Sequence, residues 1–312
     1  MPIEFIQETT AWDRIAPQWN ALLSASSAAS PFLRSEFQRA WWDHLGGGEW
    51  PSGDLRIAVW RNADDPAGIA PLFRSLHDGE SRLLLIGSAE IADYLDLIAA
   101  PDRLAEFCSV LLDELASLPK AEFGALDLFN LRASSPTVPV LEEEAARRGW
   151  LLDQEALQIC PVIDLPPTWD EYLARLDKKT RHEIRRKLRR AEGNEARTAL
   201  TIRGAEAVDE FLRLMSFDRA KADFLTPAMA DQFRAIAAAG QEAGILELAF
   251  LELEGRNVAG YFNFVCQNRV WVYNSGMDPD FSAFSPGWVL LAGLIRRAIE
   301  AGCSAFDFMR GD

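Results

Sequence analysis

Histidine and cysteine are scarce in this chain. His44, His77 and His182 are the three histidines among 312 residues. None lies in an HExxH spacing or beside a GxSxG elbow, which removes the common zinc-peptidase and serine-hydrolase arrangements. The four cysteines, Cys108, Cys160, Cys266 and Cys303, form no CxxC pair. With no spaced ligand set, no metal is expected, and the thiols read as reduced, buried side chains of a cytoplasmic protein. A Walker A loop is missing too. No apolar run approaches the roughly 18 residues that a membrane span takes, and the most apolar long stretch, ILELAFLEL at 245–253, is broken by glutamates. The N-terminal MPIEFIQETTAWDRI lacks a basic region ahead of an apolar one and does not read as a targeting segment. Positive charge is short as well: a net −15 argues against a broad nucleic-acid surface.

What the chain does have is one concentrated patch of cations. KKTRHEIRRKLRR at 178–190 holds eight lysines and arginines against the single Glu183, a net of +7, so the remainder carries −22. Leu176, Thr180, Ile184 and Leu188 recur every four residues and form a narrow stripe that can dock on a domain. The cations fill the rest of the circumference. Arg181–Arg185, Arg185–Arg189 and Arg186–Arg190 are like-charge pairs at i, i+4, each costing about 0.2–0.5 kcal/mol. Lys179–Glu183 and Glu183–Lys187 offset them only in part. The stretch is either a solvated counter-charge to an acidic protein or an anion site for phosphates of a cofactor or activated substrate. The repulsion favours the second.

A composition of 49% hydrophobic and 25% charged residues is that of a globular protein, and the length allows two domains. Periodicity predicts helices at 12–23, 31–44, 103–118, 138–148, 169–176, 205–216, 227–239 and 288–301, besides the basic one. Strands are expected at 54–60, 68–73, 81–86, 95–99, 124–131, 199–203, 245–253, 258–266, 270–275 and 305–309. Pro166 and Pro167 mark a boundary between domains at 1–163 and 164–312, and Thr168 is placed to cap the next helix. Both halves end in strand–helix–strand after a run of antiparallel strands, which predicts a duplicated α+β unit with one parallel pair in each.

The segment 271–311, WVYNSGMDPDFSAFSPGWVLLAGLIRRAIEAGCSAFDFMRG, carries the second signal. Its loop ends in Ser285-Pro286-Gly287 at the start of an apolar helix. Ser285 suits the cap and Pro286 the first turn. Gly287 leaves room at the backbone, and unpaired amides at such a start can bind a phosphate.

This layout resembles the GNAT-type acetyltransferase fold, and more closely the FemAB-like acyltransferases of the CelD kind, which contain two GNAT-type units. SPFLRSEFQRAWWDHL (30–45), GIAPLFRS (68–75) and LLLIGSAEIADYLDLI (83–98) resemble the first unit of that family. DLPPTWDEYLARLDKKTRHEIRRKLRRAEG (164–193) resembles its linker and basic helix, and YNSGMDPDFSAFSPGWVLLAGLIRRAIEAGCSAFDFMRGD (273–312) its C-terminal signature. The resemblance implies two tandem GNAT-like units, each a mixed, mainly antiparallel sheet flanked by helices. A GNAT unit continues past its last parallel strand with a helix and two more strands. The sequence stops at Asp312, so the second unit is expected to be incomplete.

The implied activity is transfer of an acyl group, with acetyl-CoA as co-substrate and no metal, to the amine or hydroxyl of a small-molecule or saccharide acceptor in envelope polysaccharide production. No membrane insertion is implied. In better-understood FemAB relatives the donor is an aminoacyl-tRNA and the acceptor a peptidoglycan precursor, so a tRNA-dependent ligase is one alternative and a non-catalytic scaffold another. Ser285, Gly287, Trp288 and Asn274 are the expected donor-side residues, and Lys179, Arg181 and Arg185 the expected phosphate ligands. Backbone amides around Tyr273 and Asn274 are placed to polarise the acyl carbonyl. Tyr273 and Asp307 are candidates for proton transfer, and Arg310 for an anionic group. Asp93 and Tyr94, after a strand of the first unit, are candidate acceptor contacts.

Overall fold

The computed structural model describes residues 3–48, 50, 53–63, 65–77, 79–192 and 198–310. The chain divides into two compact units, Met1–Leu157 and Gln158–Asp312. The division falls ahead of the boundary expected after residue 163, because the strand Val162–Asp164 pairs with Ala305–Asp307 of the second unit.

The first unit runs β1 (Ile3–Ile6), α1 (Thr9–Ala25), α2 (Ser35–Leu45), β2 (Asp54–Leu55), β3 (Ile57–Asn62), β4 (Asp65–Ala70), β5 (Leu72–His77), β6 (Glu80–Leu85), β7 (Ile98–Ala99), α3 (Leu104–Ser117), β8 (Ala125–Asp127) and α4 (Thr137–Arg148). Two four-stranded sheets result, ordered β1-β3-β4-β7 and β2-β5-β6-β8. The expected single strand at 68–73 is split into β4 and β5 at Pro71, which has no amide to donate to a ladder. Strands β6 and β8 pair in parallel, whereas β7, the strand just ahead of α3, pairs antiparallel with β4, so the parallel pair of this unit does not join the two strands that flank the helix as expected. Apolar aromatics fill the core: Trp12 stacks on Trp19 at 5.6 Å and Trp60 on Phe107 at 6.1 Å. Gly68 is required there, since a Cβ would lie 2.4 Å from the Phe107 ring.

The second unit runs β9 (Val162–Asp164), α5 (Trp169–Arg175), α6 (Lys178–Glu192), β10 (Thr198–Arg203), α7 (Val208–Met215), α8 (Arg219–Phe224), α9 (Pro227–Glu242), β11 (Leu246–Leu253), β12 (Arg256–Cys266), β13 (Arg269–Met277), α10 (Pro286–Glu300) and β14 (Ala305–Asp307). Its six-stranded sheet is ordered β10-β11-β12-β13-β14-β9. β10 to β13 form an antiparallel meander, β13 and β14 pair in parallel across α10, and β9 closes the outer edge of β14 antiparallel. The β11–β12 and β12–β13 turns have positive φ at both central residues, Glu254-Gly255 and Gln267-Asn268, which matches the twist of a tight hairpin. Thr168 caps α5 by accepting from the Glu171 amide.

Side-chain alternation sorts the sheet into two faces. Ala249, Leu251, Val270 and Val272 pack with α10, α5 and Ile184 of α6. Phe262 of the opposite face meets Phe211 of α7 and Phe233 of α9 at 5.6 and 5.8 Å. Gly260 and Gly276 are paired across β12 and β13 beneath α7. A Cβ at 276 would stand 2.4 Å from the Met215 amide nitrogen, so glycine is what lets the helix backbone lie on the strand. Among the described residues no helix is long and apolar enough to cross a membrane.

Two stability outcomes follow. Gly276→Ala presses on backbone that cannot move aside and is expected to cost about 1–3 kcal/mol, read as a lower urea midpoint. In the first unit Asp96 is 3% exposed, with oxygens that accept from Ser135 Oγ and the Leu97 amide. Burial raises its pKa above the ordinary carboxylate value, against those hydrogen bonds. The folded protein therefore holds this proton more tightly than the unfolded chain, and stability falls as pH rises from the ordinary aspartate value through the raised one. Asp96→Asn is expected to remove that fall, seen as a flatter melting temperature against pH.

Candidate functional site

The parallel ladder between β13 and β14 is short. It pairs Arg269 with Ala305, Val270 with Phe306 and Trp271 with Asp307, while β13 continues to Met277. Among the described residues no strand lies beside 272–277 on that side. On the other side of β13 the register to β12 shifts: Asn263 faces Val272 but Phe262 faces Asn274, so Tyr273 is the extra residue of a β-bulge. The bulge and the end of β14 at Asp307 together leave a wedge beside the carboxyl end of β13.

Helix α10 starts at the same end, because a parallel crossover carries the chain from the carboxyl end of one strand back to the start of the next. A 3-10 turn, Pro279–Phe284, leads to Ser285, whose backbone is left-handed (φ 53°, ψ 47°). Ser285 makes no side-chain cap, contrary to the sequence expectation, because a capping side chain needs an extended backbone. Pro286 occupies the first turn, and the first amide to join the ladder is Val289, on Ser285 O at 3.1 Å. The helix ladder thus leaves the amides of Gly287 and Trp288 out. A Cβ at 287 would meet Met277 Sδ at 3.7 Å, an ordinary contact, so packing does not demand glycine here.

Helix α6 is built to lie beside that start. Asp177 opens it by accepting from the Lys179 and Thr180 amides at 2.9 and 3.0 Å. Ile184 is buried, and Leu176, Leu188 and Ala191 pack on the same cluster. The docked flank carries Lys187, whose Nζ lies 4.6 Å from the Trp288 ring, and Arg190, 5.5 Å from the Phe284 ring. A small apolar cavity between them is lined by Arg190, Leu253, Val258, Phe284, Pro286 and Val289. Glu183 pairs with Arg186 at 2.7 Å and Lys187 at 3.7 Å, and its carboxyl is held down to about 2, chiefly by Arg186.

Lys179, Arg181 and Arg185 lie on earlier turns and make no ion pair among the described residues. At 1.5 Å per residue, Lys179 is about 12 Å along the helix from Lys187. The structure therefore brings Lys187 and Arg190, rather than those three, to the start of α10. The four-residue stripe marks the face that docks but not the flank that meets a neighbour.

The remaining candidates are placed as follows. Asp307 is fully buried, accepting from Arg269 Nη1 on Oδ2 at 2.6 Å and from the Met309 amide on Oδ1 at 2.8 Å. Both oxygens thus hold the end of β14. Tyr273 packs among Phe233, Phe262 and Phe264 at 5.4–5.8 Å. Arg310 is half-buried in the turn after β14. Asn274 Oδ1 accepts from the Ser275 amide at 2.8 Å. In the first unit Tyr94 is buried under Arg132, 5.5 Å from its ring, and the neighbouring Asp93 is half-buried.

One residue escaped the sequence reading. Lys221, on the six-residue α8, donates to Asn274 Oδ1 at 3.0 Å and to the Ser275 carbonyl at 2.6 Å. Burial lowers its pKa from the ordinary lysine value, with Asp218 acting the other way. Helix α8 is too short to show periodicity. Its sequence signal is Asp218, which caps it by accepting from the Lys221 amide at 3.0 Å.

With this geometry in view, two comparisons bear on the class of protein. Residues 178–312 match the family model described as the acetyltransferase (GNAT) domain. Over its whole length the chain superposes on the crystal structure of FemX with a TM-score of 0.68 at 14% identity, covering 89% of that chain. It also superposes on a conserved protein of unknown function from Bacteroides thetaiotaomicron, at a TM-score of 0.59 and 14% identity, covering 99% of this chain and 90% of that one. No curated protein matches. Over residues 178–312 the second unit thus matches the GNAT domain. The chain as a whole has the FemX fold, in keeping with the FemAB-like resemblance of its sequence.

Breaking the Arg269–Asp307 pair tests the structural part given to Asp307. Arg269→Ala takes a charged partner from a buried carboxylate and is expected to cost about 2–3 kcal/mol, allowing for the partial exposure of Arg269. Asp307→Asn is expected to cost less, because Asn can still accept from Met309. Urea midpoints of the two variants give the comparison.

Proposed function

We propose that the second unit transfers an acyl group from acyl-CoA to an amine or hydroxyl, with the donor's phosphates at the start of α10 and its thioester in the wedge between β13 and β14. One juxtaposition supports this above all. The amides of Gly287 and Trp288 that α10 leaves out lie at the end of β13, where Gly287 neighbours Met277, and the cations of Lys187 and Arg190 pack on the adjoining Trp288 and Phe284 rings. A diphosphate suits such a start, with backbone donors at its centre and charge-assisted donors at its rim. In the transfer the acceptor nitrogen or oxygen attacks the thioester carbon and loses a proton. The C–S bond breaks, and the thiolate takes up a proton. Strand backbone at the Tyr273 bulge is positioned to stabilise the carbonyl oxygen as charge develops on it. In this reading Asp307, held by Arg269 and the Met309 amide, is assigned the positioning of β14 rather than the proton transfer. A saccharide or small-molecule acceptor, an envelope-polysaccharide role and a cytoplasmic location belong to the same proposal and rest on the sequence resemblance.

A tRNA-borne donor is a second reading, favoured by a separate observation. Lys178, Arg181, Arg185 and Arg189 follow one another along a ridge of α6, without ion pairs among the described residues. Four cations in a row exceed what a single CoA requires.

Calorimetry with acetyl-CoA tests both. The wild type is expected to bind saturably. Gly287→Asp fits the space available, and an acid in the first helical turn stabilises the helix by about 0.3–1 kcal/mol. It should leave melting intact while weakening acetyl-CoA at least about tenfold, by placing a carboxylate at the anion site. Lys187→Ala with Arg190→Ala should weaken it as well. Arg181→Ala with Arg185→Ala should change it little, and a loss confined to that double variant, together with a steep salt dependence of tRNA binding, would favour the tRNA reading. A wild type that binds no acetyl-CoA overturns the acyl-CoA reading.

A further inference from the structure

Ser275 lies just past the bulge, beyond the end of β14 at Asp307. Its amide is taken by Asn274 Oδ1 at 2.8 Å and its carbonyl by Lys221 Nζ at 2.6 Å. In a strand these two groups point to the same neighbour, and beyond Trp271 no described residue supplies that neighbour on the β14 side. Lys221 also holds the bridging oxygen, Asn274 Oδ1, at 3.0 Å. Two side chains therefore stand in for the absent strand, and one lysine ties them together.

The wedge is bounded by this arrangement. Its closed end is the last ladder pair, Trp271 with Asp307, and its far limit is the Lys221–Ser275 contact, leaving 272–274 between them. Lys221 is itself fixed at both ends. Its amide is held by the Asp218 cap, and its half-buried stem runs from α8 to the strand. Burying an ammonium is unfavourable unless its donors are used, and here two of three are used on one peptide segment.

We propose that Lys221 is a positioning residue of the acyl-transfer site, holding the bulged segment of β13 in the conformation that meets the donor's thioester carbonyl. The role acts through Asn274 and Ser275 and rests on the acyl-CoA reading given above. It assigns the α8 segment, which among the described residues makes no hydrogen bond or ion pair with Gly287, Trp288, Lys187 or Arg190, to control of carbonyl polarisation rather than of donor affinity.

Isotope-edited infrared spectroscopy of acetyl-CoA labelled with carbon-13 at the carbonyl reads that polarisation directly, with calorimetry giving affinity. Bound to wild type, the thioester band is expected at lower wavenumber than in water. Lys221→Met keeps the stem and removes the donors. It should lose more than about half of that displacement while acetyl-CoA affinity stays within about threefold. Lys221→Arg should restore part of it. If Lys221→Met does not fold, Asn274→Ala removes the bridging oxygen from the strand side and should give an intermediate loss. A merely structural lysine would lower the melting temperature and leave the band of the bound ligand where it was. An unchanged band in the folded variant overturns the proposal and leaves the acyl-CoA reading standing. Failure of the wild type to bind acetyl-CoA overturns both.

Discussion

Parallel pairing of β13 and β14 stops after three residue pairs, and the second unit is organised around that stop. A strand that loses a neighbour must satisfy its backbone in some other way or leave it open to a ligand. Here both occur within a few residues. Side chains cover Ser275, and α10 begins at the same end with two amides outside its own ladder. The bulge at Tyr273 bends the strand away, and Asp307, locked to Arg269 and the Met309 amide, keeps the parting at a fixed register.

The two faces of the sheet divide the work. On the α10 face an apolar cluster seats α6, and the stability of the seat comes from Ile184 and Leu188 rather than from the charges. That lets a strongly self-repelling helix be held in place, its cations pointing to solvent or to the aromatic rings Trp288 and Phe284. On the opposite face α7 rests directly on Gly260 and Gly276, and the aromatic cluster around Phe262 carries α9. The short α8 hangs between these two helices and delivers Lys221 to the strand.

Much of this was legible in the residues. The antiparallel run followed by strand–helix–strand predicted a parallel pair in each unit; in the second it joins the flanking strands β13 and β14, while in the first β6 pairs with β8 and the flanking β7 lies in the other sheet. The stripe through Ile184 predicted the buried side of α6. Other features were not legible, for identifiable reasons. β1 has four residues, too few for a period to emerge. Pro71 breaks a strand that alternation alone reads as continuous. The left-handed backbone at Ser285 cancels a cap that Ser-Pro-Gly otherwise suggests. At the site, Lys187 and Arg190 could not be separated from six other cations of the same helix, since only the tertiary neighbour Trp288 singles them out. Asp307 had the chemistry of a base, but its partner Arg269 lies across a strand pairing that the sequence does not print.

The position of β9 bears on the order of events when the protein is made. It is synthesised before every other strand of its sheet, and its partner β14 after all of them. The meander from β10 to β13 consists of neighbours in sequence and can form as soon as it leaves the ribosome, whereas the β9–β14 contact joins the two ends of the unit and must wait for the last of them. The wedge is defined by where β14 lies. The wedge is therefore the last part of this sheet to come into existence, added to a meander from β10 to β13 that is already paired.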